Sequence, residues 1–257
     1  MENRLALITG ASGGIGEAFA QLLAAEGFGL ILVARRDREL HRVKGVIASK
    51  HSVPVHIIAL DLNDRNAVEK MAEELLARNL VPTLVVNNAG FGLVGKADEL
   101  SRQGQLEMID VNIRVLTDLT LRYLPGMVAA KAGGVINVSS VAGFMPGPMM
   151  AIYFATKNYV LSFGEALSEE LKGTGVTITT LCPGIVKTGF QARAGMPEIR
   201  SRGITPSDVV TEAWEGHKLQ RRVVIPGFFN KISAYGMRLA PRSLVLPVVK
   251  RVMGKRR

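Results

Sequence analysis

The sequence predicts an α/β fold: a single domain built on a doubly wound parallel sheet with helices on both faces. Three observations carry that expectation. Short apolar runs rich in Val, Ile and Leu alternate with longer stretches of helical periodicity along the 257 residues. The first run, Leu5–Thr9, leads through a glycine-rich turn, TGASGGIG, into an amphipathic stretch. No linker or short-period repeat divides the chain, and α/β folds of this length are often one domain.

After Gly16, residues Ala18, Phe19, Leu22 and Leu23 share one helical face. Strand, glycine turn and helix is the arrangement that sets free backbone N–H groups and a helix N-terminus against a phosphate. Gly10 allows the tight turn, while Gly14 and Gly16 let a pyrophosphate and the neighbouring strand approach the backbone. The spacing is G-x-x-x-G-x-G, not G-x-G-x-x-G, so a plain glycine-rich loop stays open on this motif alone. Leu30–Ala34 reads as a strand buried on both faces and ends in Arg35 and Arg36. In a dinucleotide fold that strand end meets the adenosine ribose, where a carboxylate suits a 2′-hydroxyl and an arginine a 2′-phosphate. No carboxylate lies at 34–36, which favours the phosphorylated cofactor; two solvated arginines opening a helix are the alternative.

Asp37–Ser49 is expected to be helical, and Val53–Leu60 a strand ending in Asp61-Leu62. Asp64–Arg78 reads as a helix with Asp64 as its N-cap. Thr83–Val86 is a strand leading into Asn87, Asn88, Ala89 and Gly90. Helix is expected over Ser101–Ala130, which contains Asn112, and over Tyr153–Leu171. Gly134–Val138, Val176–Leu181 and Arg222–Ile225 complete the strands.

Composition narrows the function classes. One cysteine, Cys182, excludes an internal disulfide and fits a reducing compartment; beside a cofactor motif it reads as a core thiol. His41, His51, His56 and His217 have no Cys or His partners at ligand spacing, so no metal is expected. No signal peptide or spanning segment is visible, and a cytoplasmic protein is expected, with a membrane-peripheral one as the variant. The net charge of +10 is lopsided: Gly216–Arg257 holds eleven Lys/Arg and no acid, while the rest sums to −1.

The chemistry-bearing stretch is Asn137–Lys157, NVSSVAGFMPGPMMAIYFATK. Tyr153 and Lys157 are four apart, about one helical turn, on one face. An ammonium held there is expected to lower the tyrosine from its ordinary ~10 toward working pH. Such a tyrosine exchanges a proton with a carbonyl or alcohol oxygen. Ser140, thirteen residues upstream at the end of an apolar run, is placed to meet the same oxygen from the other side.

From Arg4 to Gly227 the chain resembles the short-chain dehydrogenase/reductase family. TGASGGIG at Thr9, DL at Asp61, NNAG at Asn87, VN ending at Asn112, NVSS at Asn137, YFATK at Tyr153 and PGIVKT at Pro183 arrive in the family's order. The resemblance implies a Rossmann-like fold and assigns roles. Tyr153 would be the general acid in reduction and the base in oxidation. Lys157 would lower its pKa and bond the nicotinamide ribose. Ser140, rather than Ser139, would orient the carbonyl, and Asn112 would hold a relay water, with a helix-kinking amide as the other reading. The cofactor would lie against Gly10, Ser12, Gly13, Gly14, Ile15 and Gly16, with Arg35, Arg36, Asp61 and Leu62 at its adenosine. Asn88, Ala89 and Gly90 would brace the sheet beside it; Pro183, Gly184, Ile185 and Thr188 would sit by the nicotinamide. Many NADP-using relatives carry a basic residue where this chain has Gly13, so the NADPH preference over NADH rests on Arg35 and Arg36.

The substrate pocket is expected from Phe144–Met150, the residues after Gly90, and Gly189–Pro197. These contribute Phe91, Leu93, Phe144, Met145, Met149, Met150, Phe190 and Met196, suited to a hydrophobic ketone or aldehyde unless they pack into the core or an interface. Residues 1–227 are expected to form the catalytic domain and 228–257 a C-terminal extension that is not an independent domain. That extension is apolar and basic, and Pro241 and Pro247 are expected to break it into short pieces. It suits an anionic membrane surface, a cover over the pocket, or a subunit neighbour; interleaved aliphatics argue against nucleic acid. It looks like the tails of family reductases acting on lipid-like carbonyls, such as ketoacyl or steroid substrates. The leading expectation is an NADPH-dependent carbonyl reductase, homodimeric or homotetrameric. An oxidative alcohol dehydrogenase is the second, and a non-catalytic nucleotide sensor the third.

Overall fold

A computed structural model describes residues 4–195 and 203–254. Seven parallel strands run in the order β3-β2-β1-β4-β5-β6-β7: Leu5–Thr9, Gly29–Ala34, Val55–Ala59, Leu84–Asn87, Gly133–Val138, Val176–Leu181 and Val223–Val224. The central strands are continuous apolar runs because both their faces are covered. In β1, Ala6 and Ile8 pack into one core while Leu5 and Leu7 pack into the other. The strand order reverses at the β1–β4 neighbours, and the crevice beyond their carboxyl ends is where ligands bind in open α/β sheets.

One face carries α1 (Gly14–Ala25), α2 (Asp37–Ala48) and α8 (Pro206–Lys218); Phe19, Leu23, Leu40, Ile47 and Trp214 fill that core. The other carries α3 (Ala67–Ala77), α5 (Leu116–Ala130) and α6 (Ala151–Glu170), through Met71, Leu75, Leu119 and Leu167. The stretch expected as one helix from Ser101 resolves into α4 (Arg102–Ile109), a π-helical turn over Asp110–Val115, and α5. A short helix, α7 (Phe190–Arg193), follows β6, and α9 (Phe228–Leu239) and α10 (Arg242–Gly254) close the chain.

Three local expectations are corrected. The helix expected from Asp64 begins at Ala67, after Asn66; Asp64 accepts instead from the Asn66 N–H at 2.9 Å in the preceding turn. Pro247 does not break the tail: it lies inside α10, where the bond it removes runs back to Ser243 in the first turn. Helix α8 went unread, although its start is well signalled: the Thr205 hydroxyl caps the Asp208 N–H at 3.2 Å and Pro206 takes the first helical position.

Candidate active site

The crevice at the strand ends deepens into a cleft of about 650 Å³. Its floor is built by exchange between two turns. Thr9 Oγ1 accepts from the N–H groups of Asn88 and Ala89, both at 3.0 Å, and Asn88 Nδ2 donates back to Thr9 O at 2.9 Å. Gly10 has φ +66°, and a Cβ there would lie 2.7 Å from Asn88 Nδ2. The two glycine-bearing loops can meet only because neither carries bulk at that point. Ser12, Gly13, Gly14 and Ile15 then line the cleft, while Gly16 is buried beneath it, where an added Cβ would strike Gly10 O. Ala89, Gly90 and Phe91 line the adjoining wall; Asn88 borders it too.

At the far end stand Arg35, Arg36, Asp61 and Leu62. Arg36 Nη2 donates to Ser12 Oγ at 3.0 Å and Ser12 O at 3.1 Å, which ties the strand end to the glycine turn. Arg35 faces Asp61 at 3.8 Å. A third guanidinium, Arg193 of α7, joins them: partial burial, then the charges of Arg36 and Arg35, push it below its ordinary value. Arg193 lies in the segment Gly189–Pro197 expected at the substrate pocket, yet its charge is coupled to Arg36 and Arg35.

At the other end α6 brings Tyr153 and Lys157 to the ends of β5. Lys157 is buried and its Nζ donates to Val138 O at 2.9 Å. Ser139, the serine set aside, turns inward and donates to Lys157 O at 2.7 Å. Ser140 faces the cleft and Tyr153; its Oγ accepts from Ala142 N at 3.1 Å and makes a long 3.5 Å contact with Pro183 O. Asn112, on the π turn, clamps Phe91: Oδ1 accepts from Phe91 N at 3.1 Å, and Nδ2 donates to Phe91 O at 3.0 Å and Thr156 Oγ1 at 3.1 Å. Its side-chain amide thus ties the Phe91 loop to α6.

The expected lowering of the Tyr153 pKa is not what the chain alone produces. Withdrawal from water pushes the phenol up to about 12, against a hydrogen bond from Ser140 that acts the other way. The same withdrawal pushes Lys157 down to about 8. The ammonium is held on Val138 O and lies 5.8 Å from the Tyr153 ring centre, so desolvation outweighs their attraction.

Three expected pocket residues are elsewhere. Phe144 is buried with Leu161, Cys182, Ile225 and Ala234, and Tyr235 packs edge-on to it at 6.1 Å. Met149, at φ +70°, does not line the cleft; its carbonyl accepts from Gly95 N at 2.8 Å. Leu93 likewise stays off the wall, and Met196 and Pro197 lie outside the described residues. Met145, Met150 and Phe190 do line it, the Phe190 ring 5.5 Å from that of Tyr153. A further wall comes from the tail, as one of its three expected placements had it: Met237, Val248, Val249, Val252 and Met253.

The cleft fits a dinucleotide. A Cβ on Gly14 would meet Thr188 at 3.1 Å, and one on Gly90 would meet Asn112 Oδ1 at 2.9 Å and Lys157 Nζ at 3.5 Å, so glycine keeps a backbone-lined cradle open between the two loops. Pro183, Gly184, Ile185 and Thr188 form its opposite lip.

The family profile described as short chain dehydrogenase matches residues 4–198. The chain belongs to the short-chain dehydrogenase/reductase family. It is similar to the sulfoacetaldehyde reductase of Chromohalobacter salexigens, 38% identical over 185 residues, 71% of this chain and 72% of the relative. Among solved structures, a short-chain dehydrogenase from Sphingobium yanoikuyae in complex with NADPH superposes with TM-score 0.83 at 29% identity, over 94% of this chain and 95% of that one. A 7beta-hydroxysteroid dehydrogenase superposes at 0.87 with 27% identity, over 98% and 96%. This short-chain dehydrogenase/reductase is an NAD(P)-dependent oxidoreductase with the family's Rossmann-like fold.

Proposed function

We propose that the protein is an NADPH-dependent reductase of apolar ketones or aldehydes, with Tyr153 as proton donor. The observation that carries this reading is the division of charge along the cleft. Three arginines gather at the adenosine end, whereas Tyr153 is surrounded by Phe154, Phe190, Met145 and Met150. Among the described residues no cation other than Lys157 lines that apolar end, and Lys157 is engaged. An anionic aldehyde of the kind named for the sulfoacetaldehyde reductase would find no partner there, so likeness to the steroid enzyme supports the substrate class better.

Arg35, Arg36 and Arg193 would take the 2′-phosphate; the glycine turn, the Asn88–Gly90 loop and Pro183–Thr188 would hold the rest. When bound, the cofactor supplies a hydride to the carbonyl carbon. The oxygen then gains negative charge, and Tyr153 and Ser140 place their hydroxyls where it develops. A phenol pushed up to about 12 keeps its proton at neutral pH, which suits an acid in reduction better than a base in oxidation. Lys157 stabilises the tyrosinate left behind. Asn112 fixes the Phe91 loop; a relay water would sit on the main chain of the π turn.

A homodimer or homotetramer formed through α5 and α6 is part of this reading. Leu121 and Tyr159 are exposed there, Thr117 and Tyr159 share a 2.9 Å hydrogen bond, and Tyr159 stacks on Phe163 at 5.7 Å. A peripheral membrane contact through the C-terminal extension is proposed as well.

The test compares the wild type with Tyr153→Phe. Both should bind NADPH more tightly than NADH, while the variant loses about 10²–10⁴-fold in reduction of an apolar ketone. Equal turnover in the two would remove Tyr153 from the mechanism.

A further inference from the structure

Helices α9 and α10 each divide into two faces. Inward, Ala234, Val245 and Val249 are buried against the wall formed by Met150, Phe154 and Phe144. Outward, Phe228 (71% exposed), Phe229 (84%) and Leu239 (86%) stand in water with Ile232 and Leu244. Single exposed apolar residues are ordinary, but a contiguous set on two successive helices marks an interaction surface.

Two features identify the occupant. Lys231, Arg242, Lys250 and Arg251 stand among these side chains with no ion-pair partner among the described residues; Arg238 alone reaches an acid, Glu165 at 3.8 Å. The whole segment from Gly216 has eleven basic residues and no acid. A second copy of the chain would bring that charge against itself, which disfavours self-association through this face. The apolar set also does not stop at the protein's rim. Val248 and Val252 are about half exposed, at 51% and 44%, and both line the cleft, with buried Val249 between them. Through Val248 and Val252 the exposed apolar stripe of α10 therefore reaches the lining of the cleft that holds Tyr153.

We propose that α9 and α10 seat the protein on an anionic lipid bilayer with the cleft mouth toward the acyl region, so that its substrate is a membrane-partitioned carbonyl compound taken up from the lipid. The substrate half rests on the reductase reading; the docking half does not. Aromatic and aliphatic groups enter the headgroup boundary while the cations pair with lipid phosphates and carboxylates.

Flotation of the full chain on vesicles of phosphatidylcholine, with and without phosphatidylserine, tests the docking. Binding should need the anionic lipid and weaken with salt. The exposed pair Lys250→Gln/Arg251→Gln should lower the partition constant about thirtyfold, at ~1 kcal/mol per charge, with an unchanged melting temperature. Phe228→Ser/Phe229→Ser should lower it as well. Equal binding to both vesicle types, no binding to either, or undiminished binding of the charge variant would overturn the proposal. A parallel assay compares a short methyl ketone in solution with a long-chain methyl ketone dissolved in the vesicles. Wild type should reduce the long ketone faster than the Lys250→Gln/Arg251→Gln variant, and both should reduce the short ketone equally. Reduction of the short ketone without flotation would sink docking and spare the reductase; flotation without reduction of either would do the reverse.

Discussion

At the scale of single residues, burial sets the proton inventory. Lys157 is pushed down to about 8, so raising the pH through that value strips the charge meant for the nicotinamide ribose. NADPH affinity should therefore fall between about pH 7 and 9, and the fall should flatten in Lys157→Met; fluorescence titration reads both. His217 gives a second, unrelated pH effect. It is buried beside Trp214, bonded to Thr179 Oγ1 at 3.0 Å, and pushed down to about 4. Its folded pKa lies below the unfolded one, so only the unfolded chain takes up the proton from about pH 6.5 downward. Stability should fall as pH drops from 6.5 to 4, by on the order of 3 kcal/mol in total, and His217→Gln should lose much of that slope in urea melts. Arg36 offers a third check. Arg36→Glu should reverse the NADPH preference through kcat/KM for the two cofactors, because the group meeting the 2′-position changes sign.

At the scale of elements, α6 is the part whose placement matters most. Gly164 lets it settle on β6, where an added Cβ would strike Thr180 Oγ1. Gly164→Ala should cost about 1–3 kcal/mol and, by lifting the helix that carries Tyr153 and Lys157, lower kcat at temperatures where the fold survives. How far the elements were legible follows their surroundings. The central strands were readable because burial on both faces demands uninterrupted apolar runs, and the meeting of Ser140, Tyr153 and Lys157 in one cleft was readable from spacing. Phe144 was not, because what buries it is Tyr235 on α9, ninety-one positions on. The tail wall was legible only as one placement among three, because Pro247 looks like a break until its lost hydrogen bond is placed in the first turn. The segment Gly189–Pro197 was placed at the substrate pocket, although its Arg193 couples to Arg36 and Arg35, because sequence carries no sign of which end of the cleft α7 faces.

At the scale of the whole molecule, the last helices complete the site as well as extend the chain. A version ending at Gly227 would uncover Phe144, Phe154 and Met150 and open one wall of the cleft. It should melt at least about 5 °C lower than the full protein and bind a hydrophobic dye at temperatures where the full protein does not. The uneven charge has a consequence of its own. A body summing to −1 joined to a segment of +11 is a large permanent dipole. In the field of a negatively charged sheet such an object feels a torque at distances of a Debye length, ~8 Å at physiological ionic strength, and turns before it touches. Arrival is then orientationally selected, with the entrance to the catalytic cleft leading and few encounters wasted on the wrong side of the molecule.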